Sequence, residues 1–268
     1  MVGKRDVQGR AVPKEDMTTL AVLADPPIEG VVGQRLVETT PLDATDVVSL
    51  YEAMLSDVVR AAEAASGQLL INYRPREHLE ISDDVSPKGR LEAVVTEAVK
   101  KPDDVRYEVQ VGSSFAARAG NTVRHLLDTE EQGSVHVIEP TVPLVTRQGI
   151  DAMSIKLRRS SVVISPGPGG RVGYAGFSEP VDFEGAYDPP AVTSLVEAAR
   201  AASLDVDFVP SLQPVETGTD LTSVISTVRA RALADRLYPT RTYEWAQHQG
   251  VYGVEGEDGL DVEKTDSD

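Results

Sequence analysis

Residues 18–36, "TTLAVLADPPIEGVVGQRL", place a strand directly before a loop that contains proline and glycine. The run 18–25 is short and apolar, which predicts a buried β-strand. From Pro41 to Ala65, apolar residues recur with helical spacing, and Gly67 follows as a stop signal. A strand, a glycine loop and a helix in this order indicate the beginning of an α/β fold.

The alternation of strands and helices continues to about residue 237. Further strands are predicted at 68–74, 106–114, 134–140, 161–165 and 205–210, and further helices at 89–101, 115–129, 144–159 and 189–203. This order predicts a three-layer α/β/α sandwich with a mostly parallel sheet. Ligands bind such sheets outside the carboxyl ends of the strands. The candidate site is therefore formed by the loops after Asp25, Ser114, Glu139 and Ser165, with the segment around Glu216.

The ends of the chain differ from this pattern. Residues 1–16 are polar and without periodicity, which predicts a flexible N-terminal arm. Residues 17–249 are expected to form a single domain. Residues 250–268 are rich in glycine and acidic residues, which predicts a disordered tail.

The composition excludes several classes of site and partner. The chain has 268 residues, no cysteine and four histidines, so structural disulfides and zinc clusters are not expected. Its net charge of −17 opposes nucleic-acid binding. It carries no apolar run of membrane-spanning length and no leader-like segment, so we expect a cytoplasmic protein with no membrane contact. Only seven of its 26 basic residues are lysine, and its acids are spread along the chain, which favours adaptation to high salt over an ordinary acidic surface.

The loop after the first strand is the first candidate for phosphate binding. Gly30 and Gly33 permit close approach of the backbone, and Arg35 is suited to pair with a phosphate. The alternative is an ordinary loop with one surface arginine, because short glycine patterns occur often without function.

Acidic residues at other strand ends are candidate metal ligands. Glu139 ends the strand taken as central, where a carboxylate could hold a divalent ion, and Asp25 ends the first strand. Glu216 could approach the same site, whereas Asp220 is explained by a capping box with Thr217. The alternative for each is a solvated loop residue or a helix cap.

The loop "SPGPGGRVGYAGFS", residues 165–178, is a second glycine-rich candidate. Gly169 and Gly170 could offer backbone N–H groups to a phosphate, but Pro166 and Pro168 lack that donor. The local pattern favours a turn into a strand.

The order of these segments, from about Leu20 to about Leu237, resembles a glycosyltransferase-A-like family catalogued as domain of unknown function family 2064. That family is related to phospholactate guanylyltransferase and to nucleotide-diphospho-sugar transferases. The resemblance is carried by "PPIEGVVGQRL", "VHVIEPTVPL", "ISPGPGGRVGYAGF" and "PVETGTDL". It implies a glycosyltransferase-A-like domain over 17–249, a nucleotide or nucleotide-sugar ligand, and Mg²⁺ or Mn²⁺.

Three positions depart from the family pattern. Gly33 stands where the family has a lysine, and Thr141 and Gly169 stand where it has aspartates. Transfer through a metal needs carboxylates for the ion and positive charge for the leaving phosphate. No cofactor is therefore certain, although the family implies one. Two hypotheses remain: a transferase with displaced ligands, or a catalytically inactive member that binds a ligand or a protein partner. The sequence does not define an oligomeric state.

Overall fold

The computed structural model describes residues 17–81, 85–256 and 259–265. Its main sheet consists of β1 (Thr18–Ala24), β2 (Gln68–Tyr73), β3 (Arg106–Val109), β4 (Ser134–Ile138), β5 (Val162–Ser165), β6 (Tyr174–Phe177) and β7 (Val206–Phe208). The strand order is β3-β2-β1-β4-β6-β5-β7. Only β6 runs antiparallel to its neighbours β4 and β5, so the mostly parallel sheet predicted from the sequence is confirmed.

Helices cover both faces of this sheet. They are α1 (Gln34–Thr39), α2 (Ala44–Ala64), α3 (Pro87–Ala98), α4 (Phe115–Arg124), α5 (Arg147–Lys156), α6 (Ala191–Ala201), α7 (Gly218–Leu233) and α8 (Thr240–His248). Side chains of β1 alternate between two apolar clusters, because successive residues of a strand point to opposite faces. Leu20, Val22 and Ala24 pack with α2, α3 and α5, whereas Ala21 and Leu23 pack with α4 and α6. The three-layer α/β/α sandwich is therefore confirmed.

The register of the parallel strands aligns the residues that follow them. Ala24 of β1 lies beside Tyr73 of β2, and Tyr73 lies beside Val109 of β3. The next residues along the chain are Asp25, Arg74 and Gln110, and they consequently meet at one edge of the sheet.

β3 is shorter than predicted, because it ends at Val109 instead of continuing to residue 114. Gly112 adopts a φ of 130°, which favours glycine, and Ser114 caps α4 by accepting a hydrogen bond from the Ala117 N–H. The chain thus turns away after Gln110.

The prediction of a disordered tail from residue 250 is wrong for the part that the structure describes. β8 (Val251–Gly256) and β9 (Gly259–Lys264) form an antiparallel hairpin. Val251 and Val262 are buried in a cluster with α7 and α8, whereas Asp261 and Glu263 are exposed. The acidic composition thus belongs to one face of a strand whose other face is packed. The predicted arm 1–16 and residues 266–268 lie outside the described residues.

No helix in the described part of the chain is long and apolar enough to cross a membrane.

Candidate functional site

Two joined cavities open at the carboxyl edge of the sheet. The inner cavity, of about 160 Å³, is lined by Asp25, Gln110, Arg118, Glu139 and Thr141 among apolar side chains. The outer cleft, of about 550 Å³, is lined by Gly30, Arg35, Arg74, Thr141 and Glu216 among others. The two share Val31, Gly33, Thr141 and Val215. The first loop and the Glu139 loop therefore meet, as the strand-end rule predicts.

The inner cavity has an apolar wall suited to a flat or aliphatic group. It is formed by Leu23, Val31, Val32, Leu36, Val47, Tyr51, Met54, Phe115 and Val215. Gly33 contributes a left-handed turn at the start of α1, with φ of 63°. A Cβ there would lie 2.3 Å from Val47 Cγ1, so the close contact with α2 requires glycine.

Asp25 is fixed at the end of β1 by two neighbours. The Tyr51 hydroxyl donates to the Asp25 carbonyl oxygen and accepts from the Asp25 N–H, both at 3.0 Å. The carboxylate accepts a hydrogen bond of 2.8 Å from Arg74 Nη2. Burial raises the pKa of Asp25 more than the charges of Arg74 and Arg118 lower it. This carboxylate is thus already neutralised by an arginine.

Gln110 presents a fixed acceptor to the inner cavity. Its backbone N–H donates to the Tyr73 carbonyl at 2.7 Å, and its Nε2 donates to the Asn72 carbonyl at 2.6 Å. The residue is only 2% exposed, and Oε1 has no hydrogen-bond partner among the described residues. With its amide nitrogen engaged, Gln110 offers that oxygen to a donor.

Unpaired polar atoms gather around the two cavities. Among the described residues, five buried side-chain polar atoms have no partner: Arg74 Nε, Gln110 Oε1, Arg118 Nε, Thr141 Oγ1 and Tyr187 Oη. The first four belong to residues that line the cavities. Native proteins rarely leave buried polar groups unpaired, because each costs about 1–3 kcal/mol. Their concentration in one place indicates a site that water or a ligand completes.

Glu139 follows β4 and is held by its backbone N–H, which donates to the Gly173 carbonyl at 2.8 Å. Burial, reinforced by the charges of Glu216 and Asp25, raises the pKa of Glu139 to about 8. This side chain is therefore mostly protonated at neutral pH, so it adds little negative charge to the inner cavity.

Glu216 lies in the outer cleft between two arginines. Its Oε2 is 3.0 Å from Arg35 Nη1 and 3.5 Å from Arg171 Nη1. The Arg35 side chain is 65% exposed and the Glu216 side chain 33% exposed. Arg35, predicted as the phosphate contact, is thus paired with a carboxylate of its own chain.

Asp220 does more than cap α7. It completes the predicted capping box with Thr217 and also accepts two hydrogen bonds from Arg171, at 2.8 and 2.6 Å. Burial alone would raise its pKa, but the hydrogen bonds from Arg171, Thr217 and Gln213 outweigh burial and lower the pKa of Asp220 to about 2.

The glycine loop 166–171 carries Arg171 to its contact with Asp220 and does not line the cleft. Arg171 Nε donates to the Pro168 carbonyl at 3.0 Å, which shapes the turn. Gly169 has a φ of 68° and open space where a Cβ would lie, whereas the Gly170 Cα faces Pro190. Neither glycine lines the inner cavity or the outer cleft. The expectation that the loop after Ser165 forms part of the site therefore does not hold for these two cavities.

The acids of the cleft do not fit a divalent metal. Asp25 is paired with Arg74, Glu216 is paired with Arg35, and Glu139 has a raised pKa. Among the described residues, one group of three metal-capable side chains meets within 4.8 Å: Glu108, His125 and Glu130. It lies outside both cavities, and Arg106 already pairs with both of its carboxylates.

The sequence reasoning missed Arg74, Gln110 and Arg118. Arg74 and Gln110 directly follow β2 and β3, so the strand-end rule applied to every strand would have found them. Arg118 lies in the first turns of α4, and only the fold brings it to the cavity.

No family model and no curated protein matches this chain. Among solved structures, it is similar to a protein from Desulfovibrio desulfuricans G20 assigned as a nucleotide-diphospho-sugar transferase. That likeness has a TM-score of 0.71 and 18% identity over 87% of this chain and 94% of the other.

Two further solved structures are less similar to this chain. A cytidylyltransferase from Leptospira borgpetersenii has a TM-score of 0.47 and 8% identity over 87% of this chain and 93% of the other. A 4-diphosphocytidyl-2C-methyl-D-erythritol synthase from Anaerococcus prevotii has a TM-score of 0.47 and 10% identity over 83% and 100%. The comparison with the Desulfovibrio protein establishes that this chain has the fold of a nucleotide-diphospho-sugar transferase.

Proposed function

We propose that this chain is a transferase-like protein that binds a nucleotide or nucleotide sugar in the two joined cavities. The inner cavity takes the base or another flat group, and the outer cleft takes the phosphates. The observation that carries the proposal is the group of unpaired polar atoms of Arg74, Gln110, Arg118 and Thr141. A nucleotide offers acceptors to both arginines and donors to the glutamine, so it satisfies the whole set.

Arginines supply the positive charge of the proposed binding site. Arg35 and Arg74 line the outer cleft, where the phosphates are placed, and Arg118 lines the inner cavity beside a mostly protonated Glu139. Guanidinium groups pair well with phosphate oxygens and remain charged at every accessible pH. Binding is therefore expected without Mg²⁺ or Mn²⁺, which the resemblance implied but the paired acids do not favour.

Catalysis of group transfer is the second candidate function, and Glu139 favours it. A carboxyl with a pKa of about 8 at the wall of a cleft is suited to exchange a proton with an acceptor hydroxyl. The competing hypothesis is a member that binds its ligand without turnover. Product formation from a bound nucleotide sugar separates these two.

The binding test is a thermal-shift screen of nucleoside triphosphates and nucleotide sugars at molar salt, with and without Mn²⁺, followed by calorimetry on each hit. A ligand that binds the native state raises the midpoint by mass action. Arg118→Gln should weaken the best ligand by about ten- to hundredfold, as expected for a charge-assisted hydrogen bond worth about 1.5–3 kcal/mol.

Arg147→Gln is the matched control for that variant. Arg147 is exposed, pairs with Asp151 on α5 and lies outside both cavities. Its replacement should leave ligand affinity unchanged. Equal effects of the two substitutions, or the absence of any binding nucleotide, would contradict the proposed function.

A further inference from the structure

Arg35 in the outer cleft already holds an anion, which is the carboxylate of Glu216. The pair has an N–O distance of 3.0 Å, and the same carboxylate oxygen lies 3.5 Å from Arg171. Two guanidinium groups therefore converge on one oxygen, in a cleft that Arg74 also lines. This is the charge environment that a phosphate oxygen would require.

The backbone on either side of Glu216 is fixed. The Val215 N–H donates to the Thr141 carbonyl at 2.8 Å, and the Gly218 N–H donates to Thr39 Oγ1 at 3.0 Å. Gly218 also packs closely on α1, since a Cβ there would lie 2.5 Å from the Thr39 carbonyl oxygen. Any rearrangement at Glu216 is thereby confined to its side chain.

That side chain is free to leave. Glu216 and Arg35 are exposed enough for water to solvate the carboxylate after it swings away, so separation carries no burial penalty of the kind that holds interior ion pairs together. Asp220, only 5% exposed, accepts hydrogen bonds from both Nη1 and Nη2 of Arg171, so it stays in place and keeps that guanidinium oriented.

We propose that Glu216 is an internal competitor for the anion site, a stand-in for a ligand phosphate that must be displaced from Arg35 when the ligand binds. This inference rests on the proposed anion-binding role of the outer cleft. Glu216 thereby sets the affinity of the cleft for anions and keeps Arg35 neutralised when no ligand is bound.

The test is calorimetric titration of the full chain with inorganic pyrophosphate, without divalent metal, at one fixed salt concentration. Glu216→Gln preserves the shape of the side chain and removes its charge. It should tighten pyrophosphate binding by about two- to fivefold, the range of a partly exposed ion pair.

Two further variants separate the effect of the Glu216–Arg35 contact from the effect of removing any negative charge from the cleft. Glu80 lines the same cleft, but among the described residues it forms no ion pair with Arg35. Glu80→Gln should therefore give a smaller gain than Glu216→Gln. In an Arg35→Gln background, Glu216→Gln should no longer tighten pyrophosphate binding to the same degree, because the guanidinium group for which Glu216 and pyrophosphate compete is absent.

The outcomes distinguish this inference from the proposed function. If pyrophosphate binds the wild-type chain but Glu216→Gln gives no gain or weakens binding, Glu216 supports the site and the competitor role is overturned. Equal gains from Glu80→Gln, or a full gain without Arg35, would also overturn it. If neither the wild type nor Glu216→Gln binds pyrophosphate, both the inference and the anion-binding function fail.

Discussion

Asp220→Asn is expected to destabilise the chain far more than loss of a helix cap would. Six hydrogen bonds end on this carboxylate: two from Arg171, one from Gln213, two from backbone N–H groups and one from the Thr217 hydroxyl. Together they tie the glycine loop, the segment before α7 and the first turn of α7 to one buried point.

The two explanations of Asp220 differ in the size of the effect. A capping residue is worth about 1 kcal/mol. Breaking a buried ion pair by removing one partner costs about 3–5 kcal/mol, because the remaining charge is left uncompensated. The Arg171 side chain is 27% exposed and the Asp220 side chain 7% exposed, so water relieves part of that cost. We therefore expect a loss of about 2–4 kcal/mol.

Urea unfolding of the wild type and the variant at pH 7 measures this loss directly. Asp46→Asn is the matched control, since Asp46 is the equivalent acid in the capping box of α2 and, among the described residues, forms an ion pair with Lys264 alone. It should cost less than Asp220→Asn, because among the described residues the Asp46 carboxylate accepts two hydrogen bonds, from the Asp43 N–H and from Lys264, instead of six. If Asp220→Asn costs about 1 kcal/mol or no more than Asp46→Asn, Asp220 is a cap and the argument for a hub is refuted.

The pH dependence of the same pair of proteins provides a second check. The pKa of Asp220 is lowered to about 2, so its carboxylate contributes its full stabilisation above its ordinary value near 3.8. That contribution is lost as the pH falls through about 2. The stability difference between wild type and Asp220→Asn should therefore shrink between pH 4 and pH 2.

Three other perturbations follow from the site. Gly33→Ala should lower the free energy of unfolding by about 2–3 kcal/mol, since it adds a clash with Val47 to left-handed backbone strain. Gly30→Ala meets no neighbour and should lower it by about 1 kcal/mol in the same denaturation assay. Nucleotide binding should weaken from pH 7 to pH 9 as Glu139, with a pKa of about 8, ionises, and calorimetry on Glu139→Gln should show no such decline. The melting temperature should fall when salt is reduced from 1 M to 0.1 M, because the screening length grows from about 3 to 10 Å around a net charge of −17; an unchanged value would argue against adaptation to salt.

The layers of the fold were predictable because burial leaves a local pattern in the sequence. β1 is a continuous apolar run buried on both faces, and apolar positions recur with helical spacing in α2, so both elements were predicted within a few residues. The antiparallel direction of β6 was not predicted, since a short strand carries no mark of its orientation. The hairpin at 251–264 was mistaken for a tail because its average composition is acidic, although Val251 and Val262 fall on one packed face.

The site residues that the sequence predicted are those at the end of a single strand or in the loop that follows it. Asp25, Glu139 and the first loop were found in this way. Their pKa values were not, because these depend first on burial in the folded chain and then on charges from distant segments, such as that of Arg118. The glycine loop was assigned to the cleft from its composition, yet Arg171 directs it toward Asp220. Charge pairing across the sheet edge is a property of the fold and has no local pattern.

That pairing also determines which ligand charge the two cavities favour. A divalent ion placed among Asp25, Glu139 and Glu216 would have to displace Arg74 and Arg35 from their carboxylates. It would also have to remove a proton from Glu139, whose pKa burial raises to about 8. A phosphate at Arg74, or another acceptor group of the ligand at Arg118, meets no such cost, because the unpaired Nε–H group of each arginine needs an acceptor. The same groups therefore oppose a metal and favour an anion, so Mn²⁺ should not tighten nucleotide binding. Binding that requires Mn²⁺ at pH 7 would show that the arginine pairs open more easily than their geometry implies.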